Sequence, residues 1–465
     1  MVLLAICLSA CATVAPARAS TLEADDAASL EASLVDALAR SEGVGLSVSV
    51  VKNGSPVLVK AFGLRSRAPD QPVLVDTPFA IASLTKQLTA ACVLMLVDEG
   101  RLSVSDPISR WFPLATRAAD ITVLDLMHHV SGYRDYYPLD FVDHRLQTPT
   151  AVDEIIARYT QRPLDFEPGT RFSYSNTGYL MLGRVVELIS GQRLGAFLEQ
   201  RLFRPLGMTH STYERPVNEQ RAVGYTRFAL GPTVEATPEA AQWLGGAAAV
   251  WSTPTDLARW SAALMGGRVL KPESLWLMTG PRRLKGGAMT RYGGGVNFSI
   301  LDGQLTVDHT GALNGFRSAT LFDDKGTSVV LLSNFDDLDP GDLAEEIFEK
   351  VRLRPGLVSV AGPSITEAAR SVFEQLQTGT VNRALFTDEF AQFLSEARLS
   401  AAKAALAPYG QPLGVKAGRP RERGALEVVS VRFTFTDERS LIALMYRRAD
   451  GLIEEFLVLP SPWVQ

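Results

Sequence analysis

A helix that is apolar on nearly every face constrains this chain more than any other stretch of its sequence. It is predicted over residues 83–99 and is followed by Gly100, a residue typical of a helix end. A helix without a polar face has to lie inside a domain. The chain has 465 residues, enough for two or three domains and a large core around this helix.

The first turn of this helix carries a serine and a lysine. Ser83 and Lys86 are three positions apart, which places both side chains on one face of the helix. Desolvation and the positive end of the helix dipole both favour an uncharged lysine, which is able to accept the proton of the serine hydroxyl. The pair predicts a nucleophile that forms an acyl-enzyme.

The same Ser-x-x-Lys spacing occurs twice more in the chain. Ser49 and Lys52 lie in alternating β-branched sequence, where residues three apart point to opposite faces of a strand. Ser400 and Lys403 are typical of a short surface helix with Ser400 as its N-cap. Neither pair is placed to form a catalytic nucleophile. The spacing alone is therefore not sufficient, and the assignment of Ser83 depends on other motifs.

A Tyr-x-Asn triplet precedes a second apolar helix. A lysine ammonium close to Tyr174 would favour the phenolate, which can relay protons between a serine and a leaving group. The amide of Asn176 can both donate and accept hydrogen bonds, as recognition of a peptide-like group requires. The triplet therefore predicts an acid/base residue and a substrate ligand.

A third motif, His309-Thr310-Gly311, is predicted at the end of a strand. Glycine lets a substrate lie close to the strand edge, and the threonine hydroxyl can hold a carboxylate. The N–H of Ala312 would then join that of Ser83 as a pair of oxyanion donors.

The three motifs together resemble those of the serine β-lactamase and penicillin-binding-protein superfamily, in its class C-like branch of DD-peptidases, β-lactamases and esterases. The connecting sequence resembles the same family in residues 126–132, 167–179, 205–208 and 252–258, and the resemblance covers residues 30–352. It implies that Ser83 is the nucleophile, Lys86 its base or proton shuttle, and Tyr174 the acid/base partner. Asn176 becomes a substrate ligand, and residues 309–312 the strand that docks the substrate.

The order of predicted elements agrees with an α/β (α+β) fold of the serine β-lactamase/transpeptidase type. Strands are predicted over 44–51 and 56–62 and again between 293 and 334, with helices in the middle. This order implies an antiparallel sheet flanked by helices and a helical insert beside it. Residues 28–357 would form this hydrolase domain, and residues 358–465 a small α+β module that is similar in composition to the NTF2/cystatin type.

Residues 1–27 are predicted to be a leader and tether. Leu8-Ser-Ala-Cys11 resembles the lipobox of bacterial lipoproteins, in which Cys11 would be lipidated. Ordinary signal cleavage after Ala19 and a cytoplasmic protein remain as alternatives. The leader favours the cell envelope or periplasm, including an outer-membrane lipoprotein, with membrane contact only through the lipid anchor.

The predicted activity is that of an exported serine hydrolase, a D-Ala-D-Ala-type peptidase or a carboxylesterase. Class C β-lactamases carry lysine where this chain has His309, and an imidazole is uncharged much of the time near neutral pH. Attraction for a substrate carboxylate is then weaker. The resemblance also implies a peptidase or an esterase rather than a class C-like β-lactamase, because family members with His-Thr-Gly include peptidases and esterases. A penicillin-binding sensor or scaffold that does not turn over is the second alternative.

Composition excludes other classes of function. The formal net charge is −5 and no basic run occurs, which argues against nucleic-acid binding. Adjacent histidines point different ways on a helix, and no His-x-x-x-His or cysteine partner frames the possible metal ligands of residues 125–144, which are His128, His129, Asp135, Asp140, Asp143 and His144. The sequence therefore predicts no metal and no cofactor, a small-molecule or peptide acyl substrate, and no particular oligomeric state.

Overall fold

The computed structural model describes residues 24–137, 144–217, 220–301, 304–352, 360–418, 420–435 and 439–460. The chain divides into two compact units, Met1–Leu353 and Arg354–Gln465. The division falls a few residues before the predicted start of the second module. Residues 1–23 of the predicted leader, with Cys11 and both cleavage sites, lie outside the described residues, and residues 24–27 belong to the first helix of the structure.

The first unit is built around an antiparallel sheet that both ends of the unit complete. Its strand order is β3-β2-β1-β12-β11-β10-β9. The strands of the unit are β1 (Gly45–Lys52), β2 (Ser55–Arg67), β3 (Asp70–Pro72), β4 (Phe79–Ala80), β5 (Thr212–Tyr213), β6 (Tyr225–Thr226), β7 (Val234–Glu235), β8 (Val250–Ser252), β9 (Asn297–Leu301), β10 (Gln304–Leu313), β11 (Phe316–Asp323) and β12 (Ser328–Ser333). Because β1 pairs with β12 in the register Leu46↔Ser333, the predicted fold class is confirmed.

Helices cover the sheet and form the insert. They are α1 (Ala24–Arg40), α2 (Thr85–Asp98), α3 (Val123–Met127), α4 (Val152–Thr160), α5 (Asn176–Ser190), α6 (Leu194–Leu198), α7 (Arg204–Leu206), α8 (Ala241–Ala248), α9 (Pro254–Met265), α10 (Pro272–Thr279) and α11 (Pro340–Val351). No helix among the described residues combines the length and the apolar character that crossing a bilayer requires.

Helix α2 is the interior helix that the sequence predicts. Every residue from Thr85 to Leu94 is buried, and the helix packs against α5, α8 and α10. Its start differs from the prediction, because residues Ala82–Leu84 form a separate 3-10 turn and the α-helix begins at Thr85. Ser83 therefore lies in a tighter turn than an α-helix would give it.

The third motif lies inside a strand and not at its end. β10 continues to Leu313 and pairs with β11 through Gly311↔Ser318 and Ala312↔Arg317. The sequence predicts a strand that ends at His309, and glycine after it is more common in turns than in strands. Backbone pairing with β11 overrides that local preference.

The second unit contains α12 (Ile365–Thr378), α13 (Asp388–Phe393), α14 (Glu396–Leu406), β13 (Gly414–Ala417), β14 (Arg421–Arg423), β15 (Leu426–Thr434), β16 (Ser440–Arg447) and β17 (Ile453–Pro460). Val429, Val431 and Phe433 share the buried face of β15, as their alternation predicts. Ser400 lies inside α14, and the N-cap is Ser395, whose side chain accepts from the backbone N–H of Arg398. The predicted N-cap role of Ser400 is therefore wrong.

Candidate active site

Ser83 follows a strained backbone position. Ala82 has φ 51°, a left-handed conformation that costs a non-glycine residue about 1–2 kcal/mol. The N–H of Ile81 donates to the carbonyl of Val250 at 3.0 Å, which ties the turn to β8. Ser83 itself is half-buried, so that its hydroxyl combines a fixed position with access from solvent.

Lys86 is fully buried, and its amine contacts three oxygens. Its Nζ donates to Asn176 Oδ1 at 2.7 Å and to the carbonyl of Ala247 at 3.0 Å, and it lies 3.1 Å from Ser83 Oγ. Burial lowers the pKa of Lys86 to about 7, although the charge of Asp135 acts in the opposite direction. A neutral amine has two N–H bonds and one electron pair. In the neutral amine both N–H groups donate, one to the Asn176 side-chain oxygen and one to the Ala247 carbonyl. The electron pair therefore faces the Ser83 hydroxyl.

Helix α8 supplies one of these acceptors through an interruption in its backbone. Gly245 has φ 40° and ψ −138°, in the region that favours glycine, and a Cβ there would lie 2.3 Å from a methyl group of Leu180. Beyond this residue two carbonyls face α2. Gly246 accepts a hydrogen bond from the Thr89 hydroxyl at 2.7 Å, one residue before the carbonyl that contacts the lysine.

Asn176 is held by protein groups on both sides of its amide. Its Oδ1 accepts from Lys86, and its Nδ2 donates to the two carboxylate oxygens of Asp135 at 3.2 and 3.0 Å. The amide oxygen can accept a second hydrogen bond, so the role of Asn176 as a substrate ligand stays a prediction. Asp135 was considered in the sequence only as a metal ligand, because nothing local connects it to a residue 41 positions later.

Tyr174 lies beside the serine and the lysine, but its ionisation differs from the expectation. Lys86 Nζ is 4.8 Å from the centre of the phenol ring, over its face. Burial raises the pKa of Tyr174 above its usual value, and the neighbouring hydroxyls of Ser83 and Tyr292 oppose this only in part. The expectation that the lysine favours a phenolate is wrong for the resting site. The neutral phenol is suited to donate a proton.

His309 is buried and uncharged. Its Nδ1 lies 2.5 Å from the carbonyl of Thr310, which can only accept, so that Nδ1 carries the proton and Nε2 accepts from the Tyr292 hydroxyl at 2.9 Å. Burial, and then the charge of Lys86, lower the pKa of His309 to about 4. The ring centroids of His309 and Tyr174 are 6.2 Å apart. The third motif therefore joins the other two in one place.

Gly311 brings β10 against the turn that carries the serine. A Cβ on Gly311 would lie 2.6 Å from the carbonyl oxygen of Ile81 and 2.3 Å from Ser318 Oγ. The sequence predicted that this glycine makes room for substrate, whereas the structure places protein atoms there. Thr310 and Ala312 alternate with it and are exposed. Their predicted roles, a carboxylate ligand and an oxyanion donor, stay predictions.

We expect Gly311→Ala to displace β10 from the serine turn. Overpacking of this kind costs about 1–3 kcal/mol, so the free energy of unfolding and kcat/KM should both fall. Gly286→Ala is the matched control, because a Cβ at Gly286 meets no atom within 4 Å. Thermal unfolding and ester hydrolysis measured for both variants check this. A Gly311→Ala protein as stable and as active as the control would contradict the steric argument.

Tyr292 and His129 complete the site, and neither role was predicted from the sequence. The ring of His129 lies 4.4 Å from Tyr174 and 4.6 Å from Tyr292, measured between centroids. Its Nδ1 accepts from the backbone N–H of Ser175 at 3.1 Å, which places it behind the Tyr-x-Asn motif. Burial holds the pKa of His129 well below its usual value. These rings make the site closely packed.

The residues considered for a metal site have other partners. His128 Nε2 lies 3.0 Å from the carbonyl of Leu277, and Asp135 contacts Asn176. Among the described residues no group of three histidine, cysteine, aspartate or glutamate side chains is arranged to hold a metal ion. Asp140 and Asp143 lie outside the described residues, as does the side chain of His144.

The fold has known counterparts. A protein-family model described as Beta-lactamase matches residues 30–352, which is more than half of the chain. The chain belongs to the Beta-lactamase family. The resemblance inferred from the three motifs is confirmed, and so is the class of activity, because members of the family such as its esterase and D-aminopeptidase relatives are serine hydrolases.

Three of the similar proteins are an esterase, an aminopeptidase and an amidase. Esterase EstB from Burkholderia gladioli is 30% identical over 370 residues, which cover 70% of this chain and 94% of the esterase. D-aminopeptidase from Brucella anthropi is 27% identical over 340 residues, 72% of this chain but only 64% of the aminopeptidase. The crystal structure of D-amino acid amidase from Ochrobactrum anthropi SV3 with D-phenylalanine is 25% identical with a TM-score of 0.63, covering 70% of this chain and 99% of the amidase.

Proposed function

We propose that this family member is an exported hydrolase that forms an acyl-enzyme on Ser83 and acts on D-Ala-D-Ala-type peptides or carboxyl esters. The observation that carries the proposal is the contact set of Lys86, whose two carbonyl acceptors leave its electron pair for Ser83 Oγ at 3.1 Å. An amine held in this way is a general base for the serine hydroxyl.

Acylation follows from these positions. The neutral amine of Lys86 takes the Ser83 proton while Oγ attacks the substrate carbonyl carbon. The N–H groups of Ser83 and Ala312 are assigned to the oxyanion of the tetrahedral intermediate. Tyr174 gives its proton to the departing alkoxide or amine as the bond to it breaks.

Deacylation returns the site to its first state. After the leaving group departs, Lys86 is an ammonium and Tyr174 a phenolate. Transfer of one proton from the first to the second restores both groups without any change in the net charge of the site. A water molecule then attacks the acyl carbon with Lys86 as its base, and Ser83 leaves with a proton.

His309 supports a preference for esters and amides over β-lactams. Its pKa of about 4 makes the imidazole neutral at neutral pH, and its two nitrogens already contact Thr310 and Tyr292. It therefore supplies no positive charge for a substrate carboxylate, a group that β-lactams and D-Ala-D-Ala peptides carry and that simple esters and amino acid amides lack. The names of the amidase, aminopeptidase and esterase relatives support the same preference.

A panel of acyl donors tests the proposal. We expect p-nitrophenyl esters, a D-Ala-D-Ala peptide or a D-amino acid amide to be turned over faster than nitrocefin, with a covalent adduct on Ser83 visible by mass spectrometry. Faster turnover of nitrocefin would identify a β-lactamase instead. A fluorescent penicillin that labels Ser83 once and is never released would identify the sensor or scaffold of the second alternative.

Export is proposed from the leader. Leu8-Ser-Ala-Cys11 supports a lipid anchor on Cys11, and Ala17-Arg-Ala19 supports cleavage to a soluble periplasmic protein. Mass spectrometry of the mature N-terminus separates them, because a lipidated Cys11 and a free residue 20 differ in mass. An unprocessed Met1 would contradict both.

A further inference from the structure

Asp135 forms a set of hydrogen bonds that fixes one side of the site. Its Oδ1 accepts from the backbone N–H of Asn176 at 3.1 Å and from that of Tyr137 at 3.1 Å. The side-chain Nδ2 of Asn176 donates to Oδ1 at 3.2 Å and to Oδ2 at 3.0 Å. The carboxylate can only accept, so it binds the NH₂ end of the amide and turns the oxygen end away. That oxygen lies 2.7 Å from Lys86 Nζ.

We propose that Asp135 is a positioning residue for the acylation proposed above: it holds the Asn176 amide with its oxygen towards Lys86, so that the amine directs its electron pair at Ser83. The inference rests on the proposed function, because it assigns a role in that reaction. Asp135 does not touch the reacting atoms. It acts through Asn176 and through its negative charge.

The orientation of the amide decides where the electron pair of Lys86 points. The two ends of an asparagine amide have nearly the same shape, so only their hydrogen-bond partners set which end faces the lysine. With its oxygen towards Lys86, the amide accepts a hydrogen bond from an N–H of the amine. With the NH₂ group inward, it would donate to the amine and occupy the electron pair that Ser83 needs.

Charge is the second route from Asp135 to the lysine. Within the described part of the chain, the other ionisable groups that face Lys86 are buried and uncharged at neutral pH: His129, His309, Tyr174 and Tyr179. Burial lowers the pKa of Lys86, and the charge of Asp135 raises it. The carboxylate thus keeps the amine basic enough to accept the serine proton.

Two substitutions separate these effects. Asp135→Asn keeps an acceptor oxygen beside Asn176 but removes the charge, whereas Asp135→Leu removes both. Asp165→Asn is the matched control, because this nearby carboxylate pairs with Arg134 at 2.8 Å and not with Asn176. Hydrolysis of p-nitrophenyl acetate is followed from pH 5 to 9 at a wavelength where the product's absorbance does not depend on pH. Thermal unfolding of each variant is measured alongside.

We expect Asp135→Asn to move the acid limb of kcat/KM to lower pH, because the charge that favours the ammonium is gone. Asp135→Leu should lower the plateau by about tenfold to a hundredfold, as misplaced catalytic groups do. A purely structural role would lower the melting temperature and the plateau but leave the acid limb where it is in the parent.

Two outcomes would overturn the inference: an acid limb in Asp135→Asn that coincides with that of Asp165→Asn, or a plateau in Asp135→Leu within threefold of the parent. Mass spectrometry of the parent treated with the same ester distinguishes a failure of the Asp135 inference from a failure of the proposed function. A parent that forms no adduct on Ser83 contradicts the proposed function. A parent that does, with unchanged Asp135 variants, contradicts only the role of Asp135.

Discussion

Ser83→Ala is expected to abolish the acyl-enzyme and to lower kcat/KM for every acyl donor by about 10⁴ or more, since loss of the nucleophile in a serine hydrolase removes nearly all of the chemical rate. The half-buried side chain loses one oxygen and its contact with Lys86, so the fold should be retained. Ester hydrolysis, intact-protein mass spectrometry and circular dichroism measure the three consequences.

Ser400→Ala provides the matched control for that result. Ser400 and Lys403 repeat the Ser-x-x-Lys spacing on α14, where both side chains are exposed. The control should keep the parent's rate and adduct. Ser83→Ala protein that hydrolyses esters as fast as the parent would show that the nucleophile is assigned wrongly.

Lys86→Met is expected to lower kcat/KM by about 10²–10⁴, the contribution of a general base. Methionine keeps most of the volume of the buried side chain, so the loss reports on the amine and not on a cavity. In the parent, kcat/KM should fall as the pH drops through about 7, because protonation of Lys86 removes the electron pair that accepts the serine proton. The variant should lose this acid limb.

The control for the second substitution is Lys403→Met, which removes an exposed lysine of the same spacing on α14. It should leave the rate and its pH dependence unchanged. A Lys86→Met variant that is folded by circular dichroism and retains a tenth or more of the parent's kcat/KM would contradict the role of the amine as base.

The meeting of the three motifs was predictable from their resemblance to the motifs of one superfamily, whereas local rules predicted single contacts and turns. Ser83 reaches Lys86 because the two are three residues apart, although Ser83 lies in the 3-10 turn before α2. The Asn53-Gly54 turn joins β1 and β2, in which Lys52 pairs with Ser55. Such local features depend on residues a few positions apart, so they can be predicted directly from the sequence.

Two features of the site could not be predicted: contacts between residues far apart in the sequence, and the extent to which each side chain is buried. Asp135 meets Asn176 only because a loop and the start of α5 come together, and no periodicity connects them. The ionisation of Tyr174 depends on whether burial or the nearby lysine has the larger effect. Burial dominates, and its extent follows from the packing of Tyr292 and His129 around the phenol, which appears only in three dimensions.

The partners of the lysine amine have a consequence for how activity arises during folding. Nζ is held by groups 90 and 161 positions further along the polymer. Contacts of such long sequence separation close large loops and form slowly. Turnover should therefore return only with the last refolding phase of the first unit, after its helices have already regained their circular dichroism signal.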